Sequence, residues 1–90
     1  MTGKAYRVLV LPAAKRDIFR IWHELAEINP SAADKLLIKI DKRVVDLRAY
    51  PERGALRDEL AKGIRILVEG KHLIFYRVTG RNVEIVRVVH

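Results

Sequence analysis

Three arginines stand inside otherwise apolar, strand-like runs: Arg65 in Ile64–Glu69, Arg77 in His72–Thr79 and Arg87 in Val83–Val89. A guanidinium offers a planar fork of donors that matches a phosphate or carboxylate through two parallel hydrogen bonds. Period-2 alternation places Leu73, Phe75 and Arg77 on one face of their strand, and Val83, Ile85, Arg87 and Val89 on one face of theirs. With helices covering the opposite face, the three arginines would converge on the open side of the sheet as an anion site. The plainer reading makes each a solvated strand residue, or pairs it with Glu69 or Glu84 across strands, which is ordinary sheet chemistry. Spacing alone leaves both open.

Other chemistry is thinly supplied. With no cysteine, disulfides, thiolate metal sites and cysteine nucleophiles are excluded. His23, His72 and His90 are far apart in sequence and form no ligand pair such as H-x-x-x-H, so neither a metal nor any other cofactor is expected. Aliphatic hydroxyls are limited to Thr2, Ser31 and Thr79, and no glycine-rich phosphate loop exists. One enzyme class survives. A ribonuclease working through the 2′-hydroxyl needs only a base, an acid and cations around the developing phosphorane. Glu59, Glu69 or Glu84 could be the base and His72 or His90 the acid, with Arg65 and Arg87 supporting charge, yet such groups occur in almost any basic domain. Lys plus Arg is 18 against 11 acidic residues, a formal charge of +7. That excess favours an anionic partner: nucleic acid, an acidic protein segment or an anionic surface.

The elements that must position these groups follow from periodicity. Ninety residues make one domain, 1–90, and no apolar run is long enough for a membrane span. Met1–Lys4 runs directly into a strand-like segment, so no secretory signal is expected and the chain reads as cytoplasmic. Tyr6–Leu11 is continuously apolar apart from Arg7 and suits a strand buried on both sides. Pro12 ends it and opens a helix. Ile18, Ile21, Trp22, Leu25 and Ile28 form the main apolar stripe of that helix, with Arg16, Arg20, His23, Glu24 and Glu27 opposite. Asn29-Pro30 starts a second helix, to about Arg48, with a main stripe of Ala33, Leu36, Leu37, Ile40, Val44 and Leu47. Side stripes of Phe19 and Ala26 in the first helix, and Ile38, Val45 and Ala49 in the second, would meet across a helical hairpin; exposed, they would bind a partner. After a charged linker, Glu52–Ala61, three strands follow, joined by a Gly70-Lys71 type II′ turn and by Gly80-Arg81-Asn82. The order β-α-α-β-β-β defines an α+β domain with the hairpin on one face of a mainly antiparallel sheet.

Taken in order, these pieces resemble the ParE/RelE superfamily of toxins from type II toxin–antitoxin systems. The residues that carry the resemblance are Tyr6 and Val8 before a Pro/Ala helix start, Asp17-Ile18 and Ile21-Trp22, then Asn29-Pro30 with Ala32-Ala33. Leu47, Pro51 and Gly54, the Leu56–Leu60 segment, Gly63 with Arg65, Tyr76-Arg77-Val78 and Ile85–His90 complete it, closer in detail to ParE than to RelE. The resemblance implies a stress-response module with a cognate antitoxin, commonly in a 2:2 heterotetramer, whose C-terminal segment wraps the toxin. RelE-like members cut ribosome-bound mRNA, and that branch would use Arg65, Arg87 and His90 here. ParE-like members poison DNA gyrase without being enzymes. Leu73 stands where related nucleases often carry an arginine, and no tyrosine follows the last strand, which favours the gyrase branch. Many ParE-like toxins continue beyond this strand with G-R-R-D-like residues, so a non-toxic antitoxin-binding remnant is a third reading. The expected partner surface is Arg65, Leu73, Phe75, Arg77 and Arg87, or alternatively Ile38 and Val45; direct nucleic-acid binding is permitted but not required.

Overall fold

The computed structural model describes residues 5–90, so the expectation about a leader, which falls on Met1–Lys4, lies outside the described residues. The chain order is β1 (Arg7–Val10), α1 (Pro12–Ile28), α2 (Pro30–Asp46), β2 (Ala55–Leu56), β3 (Ile64–Glu69), β4 (His72–Thr79) and β5 (Asn82–Val89). Both helices open on proline, whose missing N–H is harmless in the first turn. The Asn29 side chain caps α2 by accepting from the Ala32 N–H at 3.0 Å. Gly70 and Gly80 each take φ +60 at the first central position of a two-residue turn, and Lys71 and Arg81 keep negative φ, which is the II′ pattern.

Among the described residues the strands form one mixed sheet in the order β1-β5-β4-β3-β2, antiparallel except where β1 runs parallel to β5. The α+β architecture is as the periodicity implies, with two local differences. The linker contains β2, a two-residue edge strand paired through Ala55–Ile66 and Leu56–Arg65. Strand β1 is a half-exposed edge rather than a strand buried on both sides, with Leu9 37% exposed, because the helices cover one face only and β5 is its single neighbour.

The core lies between helices and sheet. Ala14, Ile40, Val44 and Leu47 pack against Leu67, Ile74, Tyr76, Val83, Ile85 and Val88. The side stripes do not meet: Phe19 is 64%, Ile38 56% and Val45 48% exposed. Helical geometry explains it, since two residues rotate about 200° and Ile38 therefore points away from the face that buries Ile40. Ile28, assigned to the main stripe, is 83% exposed at the last position of α1.

Strict alternation also fails in β5. Phe75 pairs with Arg87 but Tyr76 pairs with Ile85, so Val86 is the extra residue of a bulge. The buried series is Val83, Ile85 and then Val88, while Arg87 and Val89 share the open face with Phe75 and Leu73. Placing Val83, Ile85, Arg87 and Val89 on one face is thus corrected.

A polar knot fixes the loop between α2 and β2. The wholly buried Tyr76 hydroxyl donates to the Pro51 carbonyl at 2.8 Å and accepts from the Gly54 N–H at 2.7 Å. Burial pushes its pKa up, so it remains a donor. A Cβ on Gly54 would lie 2.6 Å from Tyr76 Cε1. Gly54→Ala should therefore cost about 1–3 kcal/mol through overpacking. Tyr76→Phe should cost a similar amount, about 1–3 kcal/mol, by leaving the Gly54 N–H without its acceptor. Urea midpoints of the two variants check this, and an unchanged midpoint in both would mean that the knot does not hold the loop.

Candidate functional site

The three strand arginines do not converge. Arg65 pairs in register with Tyr76 and so belongs to the helix-side face, where its Nη1 donates to the Gly54 carbonyl at 2.7 Å and to the Glu52 carbonyl at 3.3 Å. Arg77 stands on the open face and its Nε donates to Glu84 Oε1, directly across the strand pair, at 2.6 Å. The cross-strand ion pair anticipated as the plain reading is what Arg77 makes. Glu69 is held instead by Arg43 of α2 at 3.1 Å.

Arg87 turns to the edge of the sheet. Strand β1 stops pairing at Val10–Ile85, and beyond that point β5 has β4 on one side and no strand on the other. Helix α1 brings Asp17 to this free edge, where its Oδ2 accepts from the Val88 N–H at 2.9 Å. Arg87 clasps the same carboxylate with both arms, Nε to Oδ2 at 2.6 Å and Nη2 to Oδ1 at 2.9 Å. Asp17 is 1% exposed. The Arg87 hydrogen bonds hold its carboxyl below the ordinary carboxylate range; burial opposes them and the Val88 N–H assists. Sequence reading names Asp17 only as part of the family resemblance and gives it no role, although a signal exists: Asp17 lies three residues after Ala14 and four before Ile21, on the buried stripe of α1.

The histidines show the reverse. His72 and His90 stack edge to face with ring centroids 5.1 Å apart, in a groove of about 310 Å³ walled by Ile21, Leu25, Ile28 and Leu36. Burial pushes the His72 pKa down, the charge of His90 adds to this, and Glu69 opposes it. Arg65, Arg87 and His90 are not brought together. Arg65 pairs with Tyr76 and Val89 with Leu73, which separates the Arg65 and His90 ends by about 10 Å along the strands and two strand spacings, about 10 Å, across them. Among the described residues no group of three or more acidic or histidine side chains is placed to hold a metal.

Two apolar surfaces stay uncovered. On the open sheet face, Val68, Leu73 and Val89 form one row across the strands, next to the Phe75–Arg87 pair and with Arg77 beyond it, and Val68 is 53% exposed. On the hairpin, a groove of about 470 Å³ runs between Val10, Ile18, Leu37, Ile38 and Val44, with Asp41 at its rim. The exposed Phe19 and Val45 stand on the same two helices.

A helical hairpin on one face of a mixed sheet, with the three strand arginines tied internally and two apolar surfaces exposed, defines a small α+β domain. The chain belongs to the family of ParE toxins of type II toxin–antitoxin (parDE) systems, whose family model matches residues 8–90. It is 34% identical over 86 residues to Toxin ParE1 of Mycobacterium tuberculosis, in strains CDC 1551 / Oshkosh and ATCC 25618 / H37Rv alike, covering 93% of this chain and 88% of the relative. Its fold is similar to that in a chromosomal ParDE toxin–antitoxin system from P. aeruginosa, with a TM-score of 0.80, 24% identity and 96% of each chain covered. It is also similar to the RelBE2 toxin–antitoxin complex of Mycobacterium tuberculosis, with a TM-score of 0.72, 27% identity and 96% and 98% of the two chains covered.

The Asp17 clasp makes stability depend on pH with a definite sign. A carboxyl whose folded pKa lies below its unfolded value contributes stability above the unfolded value, near 3.8, and loses it as pH falls through the folded one. The melting temperature of the native chain should therefore drop as pH falls below about 4. Asp17→Ala should cost about 2–3 kcal/mol at neutral pH, because the Val88 N–H loses a charged acceptor, and its melting curve should be flatter in the acid range. Equal acid slopes in the two proteins would contradict the clasp.

Proposed function

We propose that this chain is a toxin that acts in the cytoplasm by inhibiting DNA gyrase and so blocking replication. In this reading it is not an enzyme, and a cognate antitoxin neutralises it in a 2:2 complex. The observation that carries the reading is the ParE match over residues 8–90 together with the separation of Arg65, Arg87 and His90. A nuclease needs its acid and its cations around one phosphate. Here Arg65 is turned to a loop, Arg87 is clasped by a buried carboxylate, and His90 lies in a groove beneath the helices.

The antitoxin reading is supported by the two solved relatives, which are a toxin–antitoxin system and a toxin–antitoxin complex. It is supported also by charge, since a wrapping acidic segment suits a chain of +7. Such a segment folds as it binds and needs apolar surface to bury. The sheet face offers Leu73 and Phe75 flanked by Arg77 and Arg87, with Arg65 on the other side of the sheet, and the hairpin offers Ile38 and Val45.

Induced expression with parallel pulse labelling tests the target. DNA synthesis should fail before protein synthesis, and His90→Ala should leave that arrest unchanged. Protein synthesis failing first, with loss of arrest in His90→Ala, would establish the RelE-like endoribonuclease instead. For the partner, Phe75→Glu or Ile38→Glu should weaken antitoxin binding at least about tenfold, since a buried unpaired charge at an interface costs roughly 2–5 kcal/mol. Titration calorimetry of the two variants reports which surface the segment follows, and full affinity in both would exclude either track.

A further inference from the structure

Where β4 begins and β5 ends, one step beyond the Leu73–Val89 pair, two imidazoles meet. Leu73 and Val89 face the open side of the sheet, so His72 and His90 turn under the helices. Their rings stand edge to face, with 5.1 Å between centroids and 62° between planes. They line the groove of about 310 Å³ whose apolar walls are Ile21, Leu25 and Ile28 of α1 and Leu36 of α2. His72 is half-buried there and His90 is exposed.

This contact suits neutral rings only. Two uncharged rings pack edge to face as aromatic side chains prefer. Two imidazolium cations at the same distance repel, and the apolar walls replace none of the hydration they would lose. Among the described residues, the charged side chains beside the pair come from three elements. Glu24 of α1 stands on the groove wall, Glu69 of β3 lies opposite His72 in register, and Arg43 of α2 holds Glu69 at 3.1 Å. Glu69 favours a charge on His72, but burial and a charge on His90 outweigh it, and the His72 pKa lies below its ordinary value of 6.5. His72 is the first residue of β4, directly after the Gly70-Lys71 turn, so a rotamer change takes its ring out of the groove with the strands still paired.

We propose that the His72–His90 pair is a pH-sensitive latch: with both rings neutral it packs the end of the sheet under the tip of the helical hairpin, and with both protonated it releases His72 and opens the apolar groove to solvent. The sign follows from linkage. A histidine whose folded pKa lies below its unfolded value, 6.5, stabilises the fold above that value and loses the contribution as pH falls through the folded one. The latch therefore opens in mildly acidic solution. The Asp17 clasp is still closed there, because its carboxyl titrates below 3.8. The inference goes beyond the gyrase reading and stands without it.

Proton NMR of the purified full chain, titrated from about pH 8 to about pH 5, tests the latch. The His72 ring should titrate with a midpoint below 6.5, and in His90→Gln that midpoint should rise, since the opposing charge is gone. Ring-to-methyl cross-peaks from His72 to Leu25 and Leu36 should be present while the ring is neutral and disappear as it takes up its proton. Cross-peaks between Ile74 and Val88, paired in register in the core, should persist throughout. Melting temperature should fall over the same range in the native chain and in His23→Gln, a variant of the exposed helix histidine, and fall less in His72→Phe, whose ring fills the groove without titrating. A His72 midpoint at or above 6.5, a midpoint unmoved in His90→Gln, or cross-peaks that survive protonation would overturn the latch. The native-chain titration decides the matter even where His72→Phe fails to fold.

Discussion

One buried carboxylate holds the far end of the sheet to the helices. Strand β5 continues past the point where β1 ends, and an edge with unpaired N–H groups cannot be buried against a helix without an acceptor. Asp17 supplies it, accepting from the Val88 N–H, and Arg87 supplies the charge that keeps the carboxylate ionised while 1% exposed. The bulge at Val86 belongs to the same arrangement. Without the extra residue, Val88 would face outward and Arg87 inward, leaving a charge in the core and a gap beside Ile74. The clasp thus sets the position of α1 on β5, and with it one wall of the hairpin groove, at Ile18.

At the other end the same logic uses neutral groups. The Tyr76 hydroxyl ties Pro51 and Gly54, and Arg65 adds a bond to the Gly54 carbonyl, so the loop after α2 lies against the sheet without a core of its own. Two of the three arginines in apolar runs are therefore structural fasteners, and the third is paired across strands.

The helices and the meander were legible because local rules govern them: proline at each helix start, the Asn29 cap, and glycine at the first turn position between strands. The uncovered stripe of Phe19, Ile38 and Val45 was visible as a pattern, but whether it met a partner within the chain depended on how the helices rotate over the sheet. The bulge was not legible, since a run such as Val83–Val89 carries no mark of where one residue is extra. Misplacing it also put Arg87 beside Ile85 instead of at Asp17, seventy residues away. The meeting of His72 and His90 likewise follows from strand register, which distance in sequence conceals.

In the function proposed for this chain, surfaces, and not an assembled reaction centre, are the working parts. The most direct test adds the purified chain to purified DNA gyrase, ATP and relaxed plasmid, and follows supercoiling on gels. The account predicts that supercoiling stops at stoichiometric amounts of the chain and resumes when its antitoxin is added. Full supercoiling in the presence of a chain that still arrests growth when expressed would contradict it.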